Sequence, residues 1–226
     1  MSEPRGMVEA VLLLDGTVLW LNGCQQGAQG FGLAADPALE ALIYDPRARS
    51  WLISGRSVIP RLYHSVALLL LDGTVLIAGS NPNEMPITIS QVDIHDQHRA
   101  FPTEFRIEIY TPVYLRGDNV SRRPTEIKLS DQTYAVNSSF EIEFSIREKL
   151  ETLDIILYSG GFVTHSLHMG QVMVYLEHSS WVSSNASRTK VQAYMPEGVK
   201  IAPGPYVVYV VANGVPGIGQ FVTFKL

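Results

Sequence analysis

The sequence predicts an all-β protein with two parts: about two blades of a β-propeller, followed by an immunoglobulin-like β-sandwich. Three observations favour this fold class. A strand–turn–strand motif occurs twice in the first half of the chain. The second half alternates short apolar strands, such as residues 140–146 and 206–211, with turns rich in glycine, proline and asparagine. No stretch shows a convincing helical period.

The repeated motif indicates the propeller blades. Residues 11–19 and 68–76 are nearly identical, and each copy has an Asp-Gly pair between two apolar runs. Asp-Gly tolerates the positive φ angles of a tight hairpin. Residues 41–46 and 50–53 indicate another strand pair between the copies, and four strands per unit is typical of a blade. Because two blades do not close a ring, we expect further blades elsewhere in a longer protein to be their structural partner.

A change in composition separates the two predicted domains. Residues 81–102 are polar and poor in strand signals, which predicts a long loop. Residues 106–110 then alternate polar and apolar side chains, as a half-buried strand does. A polar run rich in turn residues follows and ends at Pro124. We therefore predict a propeller part over residues 1–121 and a sandwich over residues 122–226.

Charge and composition disfavour several classes of partner. The chain of 226 residues is 46% hydrophobic, has a net charge of -5 and contains no Lys/Arg cluster with interleaved aromatic residues, so we do not expect nucleic acid as a partner. It has no apolar run of the about 20 residues that a membrane helix needs, so we do not expect a membrane as a partner either. The first residues lack the apolar segment of a secretory signal peptide. Three Asn-x-Ser triplets, at Asn119, Asn137 and Asn185, are nevertheless typical of secreted proteins.

A Tyr-His pair directly before the second copy of the motif is the strongest candidate for chemistry. Tyr63 and His64 combine a phenol and an imidazole, which suit a tetragonal Cu(II) site better than a thiolate zinc site. Adjacent residues of a regular strand point to opposite faces. Both side chains can therefore reach one ion only if the backbone is irregular here, and the nearby Pro60 favours that.

His165 is the candidate for a second imidazole. It lies on a glycine-flanked connection between predicted strands at residues 153–158 and 172–176. An imidazole on such a loop can project away from its own domain. From the residues alone, a role in the core or on the surface remains an alternative.

The other histidines and the cysteine have weaker patterns. His95 and His98, with two nearby aspartates, resemble metal-ligand spacing, but no period holds them on one face, so a solvated loop is favoured over a zinc hydrolase. Neither His168 nor His178 has a second ligand nearby in the sequence. Cys24, the single cysteine, has no base or oxyanion site beside it and is interpreted as a structural thiol. The glycines around it do not form a phosphate loop.

Four stretches together resemble the C-terminal part of the glyoxal oxidase and galactose oxidase family of copper radical oxidases. They are residues 61–65 (Arg-Leu-Tyr-His-Ser), 79–83 (Gly-Ser-Asn-Pro-Asn), 102–108 and 161–167. Their order and spacing match as well, over essentially the whole chain, and the second and third stretches favour the glyoxal oxidase branch. The resemblance implies a secreted protein with a kelch-type propeller and an early-set immunoglobulin-like domain, a loop of which delivers a histidine to the copper.

The resemblance also implies roles for three residues. Tyr63 would be the axial tyrosinate of Cu(II) and the catalytic proton acceptor, and His64 would be an equatorial imidazole. His165 would be the second imidazole, on the inserted loop. Enzymes of this family oxidise an aldehyde or a primary alcohol and reduce O2 to H2O2.

One departure from the family pattern leaves two hypotheses. The family's radical cofactor is a second tyrosine cross-linked to a cysteine, and both lie upstream of the matching region. Cys24 is not in the matching context, and the first tyrosine of the chain is Tyr44. The chain is then either the C-terminal part of a glyoxal oxidase-like enzyme, inactive alone, or a non-catalytic structural or binding module derived from such an oxidase.

Overall fold

The computed structural model describes residues 4–96, 99–165, 167–185 and 188–226. Strands dominate this described part of the chain. Short 3-10 helices occur at Ile89–Gln91, Val113–Leu115 and Gly117–Arg122. No helix within the described ranges has the length and apolar character needed to cross a membrane.

The strands are numbered along the chain. The first half contains β1 (Glu9–Leu12), β2 (Val18–Leu21), β3 (Cys24–Gly27), β4 (Ala34–Pro37), β5 (Glu40–Asp45), β6 (Ser50–Arg56), β7 (Val66–Leu69), β8 (Val75–Ala78) and β9 (Glu108–Tyr110). The second half contains β10 (Thr125–Leu129), β11 (Thr133–Ala135), β12 (Phe140–Ser145), β13 (Leu153–Ser159), β14 (Phe162–Thr164), β15 (Leu167–Met169), β16 (Val172–His178), β17 (Val182–Asn185), β18 (Arg188–Tyr194), β19 (Gly204–Ala212), β20 (Val215–Pro216) and β21 (Gln220–Lys225).

These strands belong to two compact units, which do not follow the chain order. The first unit comprises the described parts of residues 1–69, 75–110 and 161–170. The second comprises residues 70–74, 111–160 and the described parts of 171–226. The division into residues 1–121 and 122–226 stays a prediction, because the units are defined by contacts and not by one cut in the sequence.

Two sheets and two separate hairpins make up the first unit. One sheet has four strands in the order β1-β2-β5-β6, and the other has three in the order β7-β8-β9. The hairpins pair β3 with β4 and β14 with β15. Both copies of the repeated motif thus form the predicted strand pair, and residues 41–46 and 50–53 form the predicted partners β5 and β6.

The turn inside each motif differs from the predicted tight hairpin. In the first copy, Oδ1 of Asp15 accepts hydrogen bonds from the backbone N–H and the hydroxyl of Thr17, at 3.0 and 2.6 Å. Asp72 and Thr74 repeat this arrangement at 2.9 and 2.6 Å. Gly16 takes the positive φ angle, +80°, and Asp15 does not. The aspartate therefore stabilises a wider turn with its side chain, and the glycine alone supplies the left-handed backbone.

The second unit is a sandwich built from a ten-stranded sheet. Along one layer run β10, β12 and β18, and along the other run β13, β19, β21 and β11. Strand β16 joins the layers, because its first part pairs with β13 and its last two residues pair with β18. The core contains side chains of both layers, among them Phe140, Ile142 and Phe144 of β12 and Val208 of β19.

The two stretches that were predicted to be alternating strands, residues 140–146 and 206–211, lie in β12 and β19 and differ in burial. In β12 the apolar side chains are buried and Glu141 is exposed, as predicted for a half-buried strand. In β19 both faces are buried over most of its length. The reason is that Tyr209, on the face away from the sandwich core, packs near Tyr158 and donates to the carbonyl of Leu70 at 3.0 Å. A central strand covered on both faces loses the period-two signal.

Candidate metal centre

Three aromatic rings from distant parts of the sequence meet in the first unit. The rings of Tyr63 and His64 are stacked, with centroids 3.9 Å apart and planes at 24°. The ring of His165 lies 5.2 Å from His64 and 6.1 Å from Tyr63. The structure therefore brings together the three residues that the sequence analysis singled out, in a group that we call the three-ring site.

Tyr63 and His64 lie side by side because the backbone turns there. The hydrogen bond from Ser65 N to Leu62 O, at 3.2 Å, closes the turn, and His64 has a φ angle of +63°. Gly79 packs against this turn. A Cβ on Gly79 would lie 2.7 Å from the carbonyl oxygen of His64, so no larger residue fits without moving the turn. The expected irregular backbone is confirmed.

His165 lies at the tip of the hairpin formed by β14 and β15. Three residue pairs form its ladder, and His165 follows the last of them, Thr164 with Leu167. Its φ angle is +52°, so both candidate histidines adopt the left-handed conformation. A non-glycine residue there costs about 1–3 kcal/mol, and such strain concentrates at functional sites.

The hydrogen bonds of the two histidines leave the same ring nitrogen for a ligand. Nδ1 of His64 lies 3.2 Å from the carbonyl oxygen of Asn81, and Nδ1 of His165 lies 2.7 Å from the hydroxyl of Thr164. A carbonyl only accepts, so in the neutral imidazole of His64 the proton is on Nδ1 and the lone pair is on Nε2. Metal-binding histidines typically have this arrangement.

Arg61 attaches the turn to β8 and β9. Its side chain is 1% exposed, and its Nε donates to Oε2 of Glu108 at 2.8 Å. The two terminal nitrogens donate to the carbonyls of Gly79 and of Arg106, the latter at 3.0 Å. A buried guanidinium with three acceptors holds the residues just before Tyr63 in one position.

The segment 80–83 supports the other side of the turn. Ser80 Oγ accepts from the backbone N–H of Leu62 at 3.0 Å. Asn81 accepts from His64 with its carbonyl and from the hydroxyl of Thr103 with its side chain, the latter at 2.8 Å. Asn83 donates to the carbonyl of Phe101 at 2.9 Å. The Ser-Asn-Pro-Asn stretch is therefore the support of the His64 ring.

Sequence reasoning missed a third contributor, the loop between β3 and β4. Gln29 Nε2 donates to the carbonyl of His165 at 3.0 Å. Phe31, which is 42% exposed, lies edge-on to both Tyr63 and His64 with ring centroids 5.8 Å away. The available signal was the cluster of glycines around these residues, which marks a turn. Because β3 and β4 lack apolar alternation, that signal did not indicate a hairpin.

The surroundings of the other described histidines differ from those of His64 and His165. His95 is exposed, and its backbone N–H donates to Oδ1 of Asp93, as expected for a solvated loop. His98 lies outside the described residues. His178 has its ring nitrogens 2.9 and 3.0 Å from two backbone carbonyls, those of Ser179 and Leu153. His168 is half-buried on β15.

Cys24 belongs to the small core beside Tyr63. It is 1% exposed and packs in a cluster with Met7, Ala34, Leu62 and Tyr63. Burial raises the pKa of the Cys24 thiol, which keeps it protonated and unreactive. The prediction of a structural thiol agrees with these surroundings.

The donor atoms of the three-ring site suit a copper ion. Within the described ranges, no group of three or more His, Cys, Asp or Glu residues is placed to hold a metal. A centre at the three-ring site would therefore take its third donor from the phenol of Tyr63. Two imidazole nitrogens and one phenolate oxygen are a typical donor set for tetragonal Cu(II).

Comparison with known families agrees with this chemistry. The family model "Glyoxal oxidase N-terminus" matches residues 1–114, and the model "Galactose oxidase-like, Early set domain" matches residues 123–224. The chain therefore belongs to the glyoxal oxidase family, whose members are copper oxidases related to galactose oxidase. The predicted all-β fold, propeller blades followed by an early-set sandwich, is confirmed.

Individual relatives are plant and fungal oxidases. The chain is 36% identical to aldehyde oxidase GLOX of Vitis pseudoreticulata and 29% identical to aldehyde oxidase GLOX1 of Arabidopsis thaliana, covering 96% and 98% of this chain. These matches span 41% and 36% of the two relatives. A fungal alcohol oxidase solved in complex with copper has the same fold, with a TM-score of 0.76 at 22% identity, over all of this chain and 44% of that one.

Proposed function

We propose that the chain is the C-terminal, copper-binding part of a glyoxal oxidase-like enzyme that oxidises an aldehyde or a primary alcohol with O2. The observation that carries the proposal is that the ring centroids of Tyr63, His64 and His165 lie within 6.1 Å of one another. The family membership supports the reaction class, and the names of the relatives support aldehydes as the substrate class.

His64 and His165 would hold the metal through Nε2, and Tyr63 would hold it through its phenolate oxygen. Bound copper would supply a one-electron acceptor beside the substrate. The chain itself contributes the positions of the donors. Asn81 holds one imidazole, Thr164 holds the other, and the turn before Ser65 places the phenol next to both.

Tyr63 would also move the proton of the reaction. A primary alcohol, or the hydrate of an aldehyde, must lose a hydroxyl proton before its carbon can be oxidised. A phenolate near the substrate is a base for that proton. Phe31 lies edge-on to Tyr63 and His64 and is partly exposed, so it provides an apolar wall near the phenol.

We expect His165→Ala to weaken Cu(II) binding about a hundredfold, or ~2.7 kcal/mol, since one of three donors is lost. The control is His168→Ala, three residues further along the same hairpin, which should change the dissociation constant less than threefold. Titration against a competing chelator measures both, with circular dichroism to check the fold. Equal affinities for the two variants would remove His165 from the site.

We further expect the chain alone to produce no H2O2 from glyoxal or methylglyoxal after loading with copper. The cycle transfers two electrons, and the cross-linked tyrosine that accepts one of them in the family has no counterpart in these 226 residues. A coupled peroxidase assay measures the product. Sustained turnover would show that the chain has another electron acceptor and would refute the proposed inactivity.

A further inference from the structure

The loop between β3 and β4 reaches the three-ring site with two side chains. Phe31 contacts the rings of Tyr63 and His64, and Gln29 donates from its amide to the backbone carbonyl of His165 at 3.0 Å. The hydrogen bond of Gln29 joins residues 136 positions apart in the chain. One loop therefore contacts both sides of the site.

The loop itself is held by the segment that supports His64. Gly32 N donates to the carbonyl of Pro82 at 2.8 Å, directly after Asn81, whose carbonyl faces Nδ1 of His64. Gly27, the last residue of β3, has a φ angle of +94°, and a Cβ there would lie 1.8 Å from the carbonyl oxygen of Leu33. The conformation of the loop is thus determined by its own backbone and by Pro82.

His165 lies beyond the paired part of its hairpin. Strands β14 and β15 pair over three residues each and lie beside β7 and β1, respectively, so the ladder is packed but ends one residue before His165. His165 is exposed, and its left-handed backbone is strained. A donor on its carbonyl oxygen restricts the backbone of His165 and, with it, the direction of the imidazole.

We propose that Gln29 is a positioning residue for the candidate copper centre and acts through the carbonyl of His165. The proposal rests on the proposed function, because it assumes that the imidazole of His165 binds the metal. Asn81, Pro82, Gly32 and Gln29 would then form one continuous support from His64 to His165. Gln29 has no direct role in the chemistry, since its contact is with the backbone.

The requirement for a donor makes the proposal testable with an isosteric variant. Gln29→Glu keeps the size of the side chain but replaces the amide donor with a carboxylate, which repels the carbonyl. Gln29→Lys keeps a donor at this position and should retain a hydrogen bond to the carbonyl oxygen of His165. The matched control is Gln26→Glu, which adds the same negative charge on an exposed position of β3.

Charge and positioning predict opposite results for Gln29→Glu. An added negative charge near a cation by itself tightens binding. Loss of the hold on His165 weakens it, and we expect Gln29→Glu to raise the Cu(II) dissociation constant about three- to tenfold relative to Gln26→Glu. The electron paramagnetic resonance spectrum of bound Cu(II) should change in Gln29→Glu and return to that of the wild type in Gln29→Lys.

A measurement without copper separates this proposal from the proposed function. Hydrogen–deuterium exchange in residues 161–170 of the metal-free chain should be faster in Gln29→Glu than in the wild type and in Gln26→Glu. Unchanged exchange, or copper affinities of Gln29→Glu and Gln26→Glu within twofold, would overturn the role of Gln29. If the wild-type chain binds no copper, the proposed function fails, and exchange alone decides whether Gln29 holds His165.

Discussion

Arg61→Met should lower the free energy of unfolding by about 3–5 kcal/mol, the cost of breaking a buried ion pair from one side. The guanidinium is 1% exposed, whereas the carboxylate of Glu108 is 28% exposed, so water compensates part of the loss. We therefore expect the lower end of the range. Methionine fills most of the arginine volume, and the effect then reports the lost charge and hydrogen bonds more than a cavity.

The comparison variant for this measurement is Arg56→Met. Arg56 pairs with Glu40, whose side chain is 29% exposed, much like that of Glu108, but the Arg56 side chain is 65% exposed. Pairs with such an exposed arginine contribute about 0–1 kcal/mol. Urea unfolding followed by intrinsic fluorescence measures both variants. A loss below 1 kcal/mol for Arg61→Met would mean that the guanidinium does not hold the turn before Tyr63. Copper affinity should fall together with stability, because the turn carries two of the three proposed donors.

Glu9→Gln should remove a large pH dependence of stability. Glu9 lies on β1 with 0% exposure, and neither carboxylate oxygen has a hydrogen-bond partner among the residues that the structure describes. Burial raises the pKa of Glu9 from 4.5 to about 7. Since the unfolded chain ionises at lower pH than the folded one, the folded state binds more protons between these values. Stability is then full below pH 4.5 and falls as the pH rises through 7, by about 3 kcal/mol in total.

The measurement is the free energy of unfolding at several pH values between 4 and 8. Over this interval the free energy of unfolding of the wild type should fall by about 3 kcal/mol more than that of Glu9→Gln. Glu84→Gln is the control, because Glu84 is exposed and its substitution should leave the pH profile of the wild type unchanged. Parallel profiles for the wild type and Glu9→Gln would show that the carboxyl reaches water or a partner in solution.

Much of the strand arrangement followed from local patterns. The Asp-Gly motif, which occurs twice, predicted the strand pairs β1–β2 and β7–β8. Alternation of apolar and polar residues predicted β12, because only one face of this strand packs in the core. The alternation failed for β19, where both faces are covered. Burial on the second face depends on Tyr209 and its partners far away in the chain, which no local period records.

The candidate site shows the same division between local and distant information. Tyr63 and His64 were identifiable because they are adjacent in the sequence. The nearby Pro60 indicated the irregular backbone that allows their rings to stack. His165 was placed with them by the family resemblance, not by its own surroundings. Gln29 and Phe31 were missed because their hairpin has a glycine-rich, polar sequence without alternation, and its contacts reach residues up to 136 positions away.

The sequence by itself determined the class of fold, the strand pairs made by each Asp-Gly motif and the chemical types of the three candidate donors. These features depend on neighbours within a few positions, where side-chain type and backbone preference act directly. Tertiary structure alone decided that His165 meets Tyr63 and His64, that Gln29 holds its carbonyl, and that Arg61 and Glu9 are buried. Each of these results is a contact between segments far apart in the chain, and the folded path of the backbone, not local propensity, brings such segments together.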